Sequence, residues 1–223
     1  MAQSQRSAPV ERARSGFRRL VGIDRSGPTP ASTRAGQPLH PWTIPNVVGY
    51  LRLASIPAFL FLAFDSDDGR EAAVALLYLW ITFGDYLDGF LARATGQYSR
   101  LGALMDPVID RLSALAGASV CWHFGLLPRW ALVVLVVREV ATVALARAAL
   151  RRGLDLEISW IGRLGTFGVF AGLFWSLVID SWLTAALFGV GLALGIYATV
   201  LYALAGRRVL RERRRGFTTS TST

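Results

Sequence analysis

Asp85-Tyr86-Leu87-Asp88-Gly89-Phe90-Leu91-Ala92-Arg93 is followed, after eight residues, by Gly102-Ala103-Leu104-Met105-Asp106-Pro107-Val108-Ile109-Asp110. Four carboxylates thus lie inside two strongly apolar segments. A carboxylate in a membrane helix costs about 2.5–3.5 kcal/mol on the insertion scale, so four cost roughly 10 kcal/mol. They would not persist without cationic partners, and their spacing points to divalent metal ions.

Working outward, the chain reads as a membrane protein. Its 223 residues are 53% hydrophobic and 17% charged, with a mean hydropathy of +0.42. That is too apolar for an ordinary soluble domain. Six apolar segments, at 44–64, 71–92, 103–124, 128–150, 159–180 and 182–205, each approach the length of about 20 residues that a bilayer requires. The expected fold is all-α, a bundle of six transmembrane helices over residues 42–206. A flexible basic tail is expected over 1–41, and a basic, polar tail over 207–223.

All 24 basic residues are Arg, and the net charge is +9. The charge is confined to tails and short loops around apolar runs, which argues against nucleic acid and for contact with anionic lipid. Arg is concentrated before the first segment, in the 93–102 turn, in the 151–158 loop and in the C-terminal run Arg207, Arg208, Arg211, Arg213, Arg214 and Arg215. The alternate loops hold only Arg70 and Arg129, beside Asp65, Asp67, Asp68 and Asp180. The positive-inside rule then places both termini in the cytoplasm. No apolar run occurs in the first forty residues, so no cleavable signal peptide is expected. Cys121 is the only cysteine and reads as a packing residue.

Asp85 and Asp88 are three apart on one helix, and Asp106 and Asp110 are four apart on the next, so each pair shares a face. Gly96, Gln97 and Ser99 suit a turn between the two helices, which then run antiparallel with their acidic faces meeting. Asp85 stands eight residues before Arg93, roughly 12 Å along a helix, so the cluster sits just below the cytoplasmic surface. Hard oxygen donors with no nearby His or Cys suit Mg²⁺ or Mn²⁺. Two such ions would clamp a displacement at phosphorus. Gly89 and Gly102 permit close approach, and Arg93 offers a cation for phosphate. Two other readings stand beside this one: the Asp residues pair with Arg93, Arg100 and Arg111, or they form a cation-transport site. Transport would spread ionisable groups across the membrane depth, whereas these cluster on one side.

Asp85-x2-Asp88-Gly89-x2-Ala92-Arg93-x8-Gly102-x3-Asp106-x3-Asp110 resembles the signature of the CDP-alcohol phosphotransferases. Thr43-Ile44-Pro45-Asn46 with Arg52 resembles the family's entry into its first membrane helix. The resemblance implies transfer of a phosphatidyl group from CDP-diacylglycerol to an alcohol, with release of CMP. By the same resemblance Asp85, Asp88, Asp106 and Asp110 hold the metals, and Asp110 is also the base. Gly89, Arg93, Ser99 and Gly102 contact the nucleotide, with Asn46 and Arg52 as further candidates. A homodimer in the cytoplasmic membrane, with its site facing the cytoplasm, is implied as well.

The second half is expected to choose the acceptor. Arg138-Glu139 lies midway along an apolar segment, as a mutual salt bridge or as a phosphate site in a polar cavity. Ser159-Trp160-Ile161-Gly162-Arg163 opens the next segment. Together these resemble the bacterial phosphatidylglycerophosphate synthases, which implies glycerol 3-phosphate bound by Arg138 and Arg163. Gly165 and Val169 stand where that branch tends to carry Lys and Gln. A less polar, wider pocket there would suit phosphatidylglycerol, giving cardiolipin. Gly168-x3-Gly172 and Gly191-x3-Gly195 permit close helix packing. Trp42, Trp130, Trp160 and Trp182 read as interfacial anchors.

Overall fold

The computed structural model describes residues 39–152 and 160–219. Residues 1–38, 153–159 and 220–223, on which some of the expectations above fall, lie outside the described residues. Among those described, six α-helices follow one another: α1 (Ile44–Asp65), α2 (Ala72–Thr95), α3 (Arg100–Phe124), α4 (Arg129–Arg151), α5 (Trp160–Ser176) and α6 (Trp182–Thr219). Each of the six expected segments overlaps one helix.

Three of these, Ile44–Asp65, Ala72–Thr95 and Trp182–Arg207, are long and apolar enough to cross a membrane. The others are less uniform: α3 carries Asp106, Asp110 and Arg111, α4 carries Arg138, Glu139 and Arg147, and α5 has 17 residues. Large apolar side chains such as Phe61, Phe83, Val140 and Phe167 are exposed along the helices, which fits a chain that meets lipid rather than water. The four Trp residues read as anchors are all exposed.

The helix limits follow local chemistry. Thr43 caps α1 with its carbonyl on Val47 N and its Oγ1 on Asn46 N, the usual use of Thr before a helix. Gly96 ends α2 with a φ of +68°, a left-handed conformation that glycine adopts without penalty. Ser99 Oγ accepts from Gly102 N at 2.9 Å and so starts α3 at Arg100, ahead of the expected 103. At the far end, α6 does not stop near 205 but runs to Thr219. The Arg, Leu and Glu residues beyond Gly206 are good helix formers, and no proline interrupts them.

Two compact units are distinguishable. One comprises the described part of Met1–Leu62 together with Leu76–Ser113. Its apolar core includes Ile56, Phe59, Tyr78, Ile81 and Ile109, with the Phe59 and Tyr78 rings 5.1 Å apart. The other comprises Ala63–Ala75 and the described part of Ala114–Thr223. Its core includes Val120, Cys121, Leu132, Leu135, Leu173, Leu177 and Phe188. Cys121 is a buried free thiol against Ser176 Oγ at 3.1 Å.

In this second unit α5 and α6 meet along glycine. Gly162, Gly165, Gly168, Val169 and Gly172 form one buried face of α5. A Cβ at Gly168 would lie 2.7 Å from Gly191 Cα, and one at Gly191 would lie 2.4 Å from Gly168 C. Contacts that short exclude any side chain, so the two small-x3-small patterns serve helix packing within the chain.

Candidate active site

The first unit assembles the acidic residues. Asp85 and Asp88 project from α2, and Asp106 and Asp110 from α3. Their shared cation is Arg52 of α1, whose side chain is fully buried. Arg52 Nη1 donates to Asp88 Oδ2 at 2.8 Å and stands 3.6 Å from Asp85 Oδ1. Arg52 Nη2 donates to Asp110 Oδ1 at 3.3 Å, and Nε donates to the Ile81 carbonyl at 2.9 Å. Asp106 lies within electrostatic reach of Asp88, Asp85, Arg52 and Asp110. The sequence marked Arg52 as a further candidate for the nucleotide; in the structure its guanidinium donates to Asp88, Asp110 and the Ile81 carbonyl.

A cavity of about 170 Å³ opens beside the cluster. Asp88 and Asp106 line it together with Asn46, Gly89, Arg93, Ser99 and Gly102. Of the residues marked for the nucleotide, all but Arg52 therefore meet in one cavity. Pro45, Gln97, Tyr98 and Met105 also line it; of these, Pro45 and Gln97 belong to the helix entry and the turn read from the sequence, and Tyr98 and Met105 are marked only by nearness to the motif. Gln97 has a second task, because its Oε1 accepts from Ile44 N at 3.0 Å and caps α1.

Asn46 and Ser99 are both buried, and they tie the starts of α1 and α3 together. Ser99 Oγ donates to Asn46 Oδ1 at 2.8 Å. Asn46 Nδ2 donates to the carbonyls of His40 and Pro41. Gly102 is required beside them: a Cβ there would lie 2.8 Å from Asn46 Oδ1 and 3.1 Å from Ser99 Oγ. Gly89 plays a looser part, leaving room for Arg93, whose Nη1 would be 3.3 Å from an added Cβ.

Among the described residues, no group of three or more His, Cys, Asp or Glu side chains is placed so as to hold a metal ion. The donor chemistry nonetheless fits a hard divalent cation. The four carboxylates outnumber the guanidinium of Arg52 that they share, with Arg93 on the wall of the same cavity. Arg52 occupies one oxygen each of Asp88 and Asp110. The side chains of Asp85 and Asp110 are 48% and 38% exposed, so the protein itself does not cover them.

In the second unit, Arg138 pairs with its neighbour Glu139, and the two side chains are only 12% and 14% exposed. Arg138 also lies against Gly195, where an added Cβ would meet its Nη2 at 3.1 Å. The mutual salt bridge is thus the arrangement present. Arg163 is exposed, with its guanidinium carbon 5.5 Å from the centre of the Trp160 ring. Gly165 and Val169 do not widen a pocket. A Cβ at Gly165 would lie 2.5 Å from Gly195 N, and Val169 is 4% exposed. Both belong to the packed seam between α5 and α6.

Comparison with known proteins identifies the family. The CDP-alcohol phosphatidyltransferase family profile matches residues 42–200. The chain is similar to a cardiolipin synthase (CMP-forming) of Streptomyces coelicolor, at 35% identity over 183 residues, covering 76% of this chain and 85% of that protein. It is similar to a "Probable phosphatidylglycerophosphate synthase" of Mycobacterium tuberculosis, at 37% identity over 139 residues, covering 58% of this chain and 64% of that protein. It is also similar to a CDP-diacylglycerol–glycerol-3-phosphate 3-phosphatidyltransferase of Shigella flexneri, at 29% identity over 182 residues, covering 77% of this chain and 98% of that protein. The family is divalent-metal dependent in general. With its acidic motif set on facing helices beside a cavity, and the family profile matched over most of its length, this chain belongs to the CDP-alcohol phosphatidyltransferases.

Proposed function

We propose that the protein transfers the phosphatidyl group of CDP-diacylglycerol to the hydroxyl of glycerol 3-phosphate and releases CMP. The observation that carries this reading is the acidic cluster beside a cavity that also takes in Arg93, Asn46, Ser99 and Gly102. Asp85, Asp88, Asp106 and Asp110 would hold two Mg²⁺ or Mn²⁺ ions. Such ions, when bound, neutralise pyrophosphate charge and stabilise the departing phosphate.

The chain's own residues do the rest. Arg93 binds a pyrophosphate oxygen, while Gly89 and Gly102 let the nucleotide approach the helix backbones. Asn46 and Ser99 hold the cavity wall between the starts of α1 and α3. An alcohol is a poor nucleophile, so a base must take its proton as it attacks. Asp110 accepts that proton. The hydroxyl oxygen forms a bond to the phosphorus that carries diacylglycerol. The phosphoanhydride bond to CMP breaks, and its electron pair leaves with CMP.

Arg163 is the better candidate for the acceptor phosphate, because its side chain is exposed whereas Arg138 is already paired with Glu139. Arg138, so paired, lies against Gly195 of α6. The charge asymmetry of the loops supports six spans, cytoplasmic termini and a site facing the cytoplasm of the cell membrane. The expected homodimer rests on the family resemblance.

A second reading has its own support. The S. coelicolor relative named as a CMP-forming cardiolipin synthase shares more identity with this chain than the S. flexneri relative, over a comparable length. In that reading the acceptor is phosphatidylglycerol. The two are separated by offering purified protein and CDP-diacylglycerol each acceptor in turn and identifying the lipid formed. Phosphatidylglycerophosphate from glycerol 3-phosphate is expected. Cardiolipin from phosphatidylglycerol, with no product from glycerol 3-phosphate, would reverse the order.

A further inference from the structure

We propose that Arg52 is a positioning residue that fixes the carboxylates for metal binding, and that Gly84 is the notch admitting it. The proposal rests on the reading above that the acidic cluster holds divalent cations. Arg52 does not line the cavity and is wholly buried, so it is not placed to touch a nucleotide. Each guanidinium nitrogen has a polar partner. Nε is anchored on the Ile81 carbonyl, Nη1 on Asp88, with Asp85 3.6 Å away, and Nη2 on Asp110. One side chain on α1 therefore holds an acid on α2 and an acid on α3 in a fixed mutual geometry.

The backbone anchor is the informative part. A cation acting only through charge has no need of a carbonyl on its Nε, whereas a planar fork aimed by a third hydrogen bond sets direction. Outer partners of this kind orient metal ligands, and their loss typically weakens metal binding by about 10–100-fold. Arg52 takes Oδ2 of Asp88 and Oδ1 of Asp110, which leaves the second oxygen of each for a cation. The space for this arrangement comes from α2 itself. A Cβ at Gly84 would lie 2.6 Å from Arg52 Cδ and 3.0 Å from Arg52 Nε. Ala at that position would push the guanidinium off its acids while leaving every charge in place.

The test measures Mn²⁺ binding by electron paramagnetic resonance on the full chain in lipid nanodiscs, without lipid substrate, for wild type, Arg52→Lys and Gly84→Ala. Thermal unfolding is followed in parallel. Both variants are expected to bind Mn²⁺ about 10–100-fold more weakly than wild type. In Arg52→Lys, excess Mn²⁺ is expected to restore turnover without changing KM for CDP-diacylglycerol. Unchanged or tighter Mn²⁺ binding in folded variants would overturn the proposal, and so would a raised KM for CDP-diacylglycerol at saturating Mn²⁺. If Arg52→Lys fails to fold, Gly84→Ala decides. Unfolding of both, unrelieved by Mn²⁺, would mark Arg52 as purely structural and overturn it too. Failure of wild type itself to bind Mn²⁺ would instead sink the metal reading on which the proposal rests.

Discussion

The buried guanidinium of Arg52 donates to Asp88 over 2.8 Å, across 36 positions of sequence. This pairing answers part of the energetic problem set by four acids in apolar helices. A buried charge pair is costly to form but far costlier to break, because loss of one partner strands the other. One guanidinium cannot neutralise four carboxylates, and the remaining negative charge suits a divalent cation.

Asp110 is the residue whose loss is expected to separate chemistry from binding. Asp110→Asn keeps the size of the side chain and an oxygen for Arg52, but removes the base. Turnover is expected to fall by about 10²–10⁴-fold, with CDP-diacylglycerol binding largely retained. Equal loss of binding in a direct titration would mean that Asp110 acts mainly as a metal ligand.

Gly102 sets the cavity wall. In Gly102→Ala the new methyl group meets Asn46 Oδ1 and Ser99 Oγ, so the bond between those two residues must open or shift. Overpacking of this kind costs about 1–3 kcal/mol. A lowered unfolding temperature together with a raised KM for CDP-diacylglycerol is expected. A variant with normal stability and KM would show that the Asn46–Ser99 tie is dispensable.

The charged pair on α4 should behave as a unit. Removing Arg138 alone leaves Glu139 as a nearly buried, unpaired acid, a loss of about 3–5 kcal/mol. Removing both is expected to be milder. Thermal unfolding of Arg138→Ala, Glu139→Ala and the double variant makes the comparison. Normal stability with a raised KM for the acceptor in Arg138→Ala would instead assign Arg138 to acceptor binding.

Position 165 tests the seam between α5 and α6. Gly165→Lys would drive a long side chain into the backbone of Gly195. Loss of folded protein on size-exclusion chromatography is expected. A folded variant with a changed acceptor preference would show that the position faces a substrate after all.

Much of the site was legible because helical spacing places residues on faces. The i, i+3 and i, i+4 pairs of Asp put two acids on each of α2 and α3, and the turn residues between them brought those faces together. Arg52 was harder to assign: its tie to Asp88 and Asp110 is long-range, and a lone Arg near the start of a membrane helix reads equally as a phosphate contact. Gly165 and Val169 misled for a related reason. A missing cation suggests an open pocket, but composition does not say which way a residue faces, and here both face a packed helix. The Arg-rich run after Gly206 suggested a tail through its charge, while its residues have ample helix propensity to extend α6.

The most direct test is CMP release. Purified protein given CDP-diacylglycerol, Mn²⁺ or Mg²⁺ and glycerol 3-phosphate is expected to release one CMP for each phosphatidylglycerophosphate formed. A chelator should stop the release, and returned metal should restore it. Absence of CMP with glycerol 3-phosphate, phosphatidylglycerol and every other alcohol offered, from folded protein with metal present, would contradict the assignment of this acidic cluster to phosphatidyl transfer.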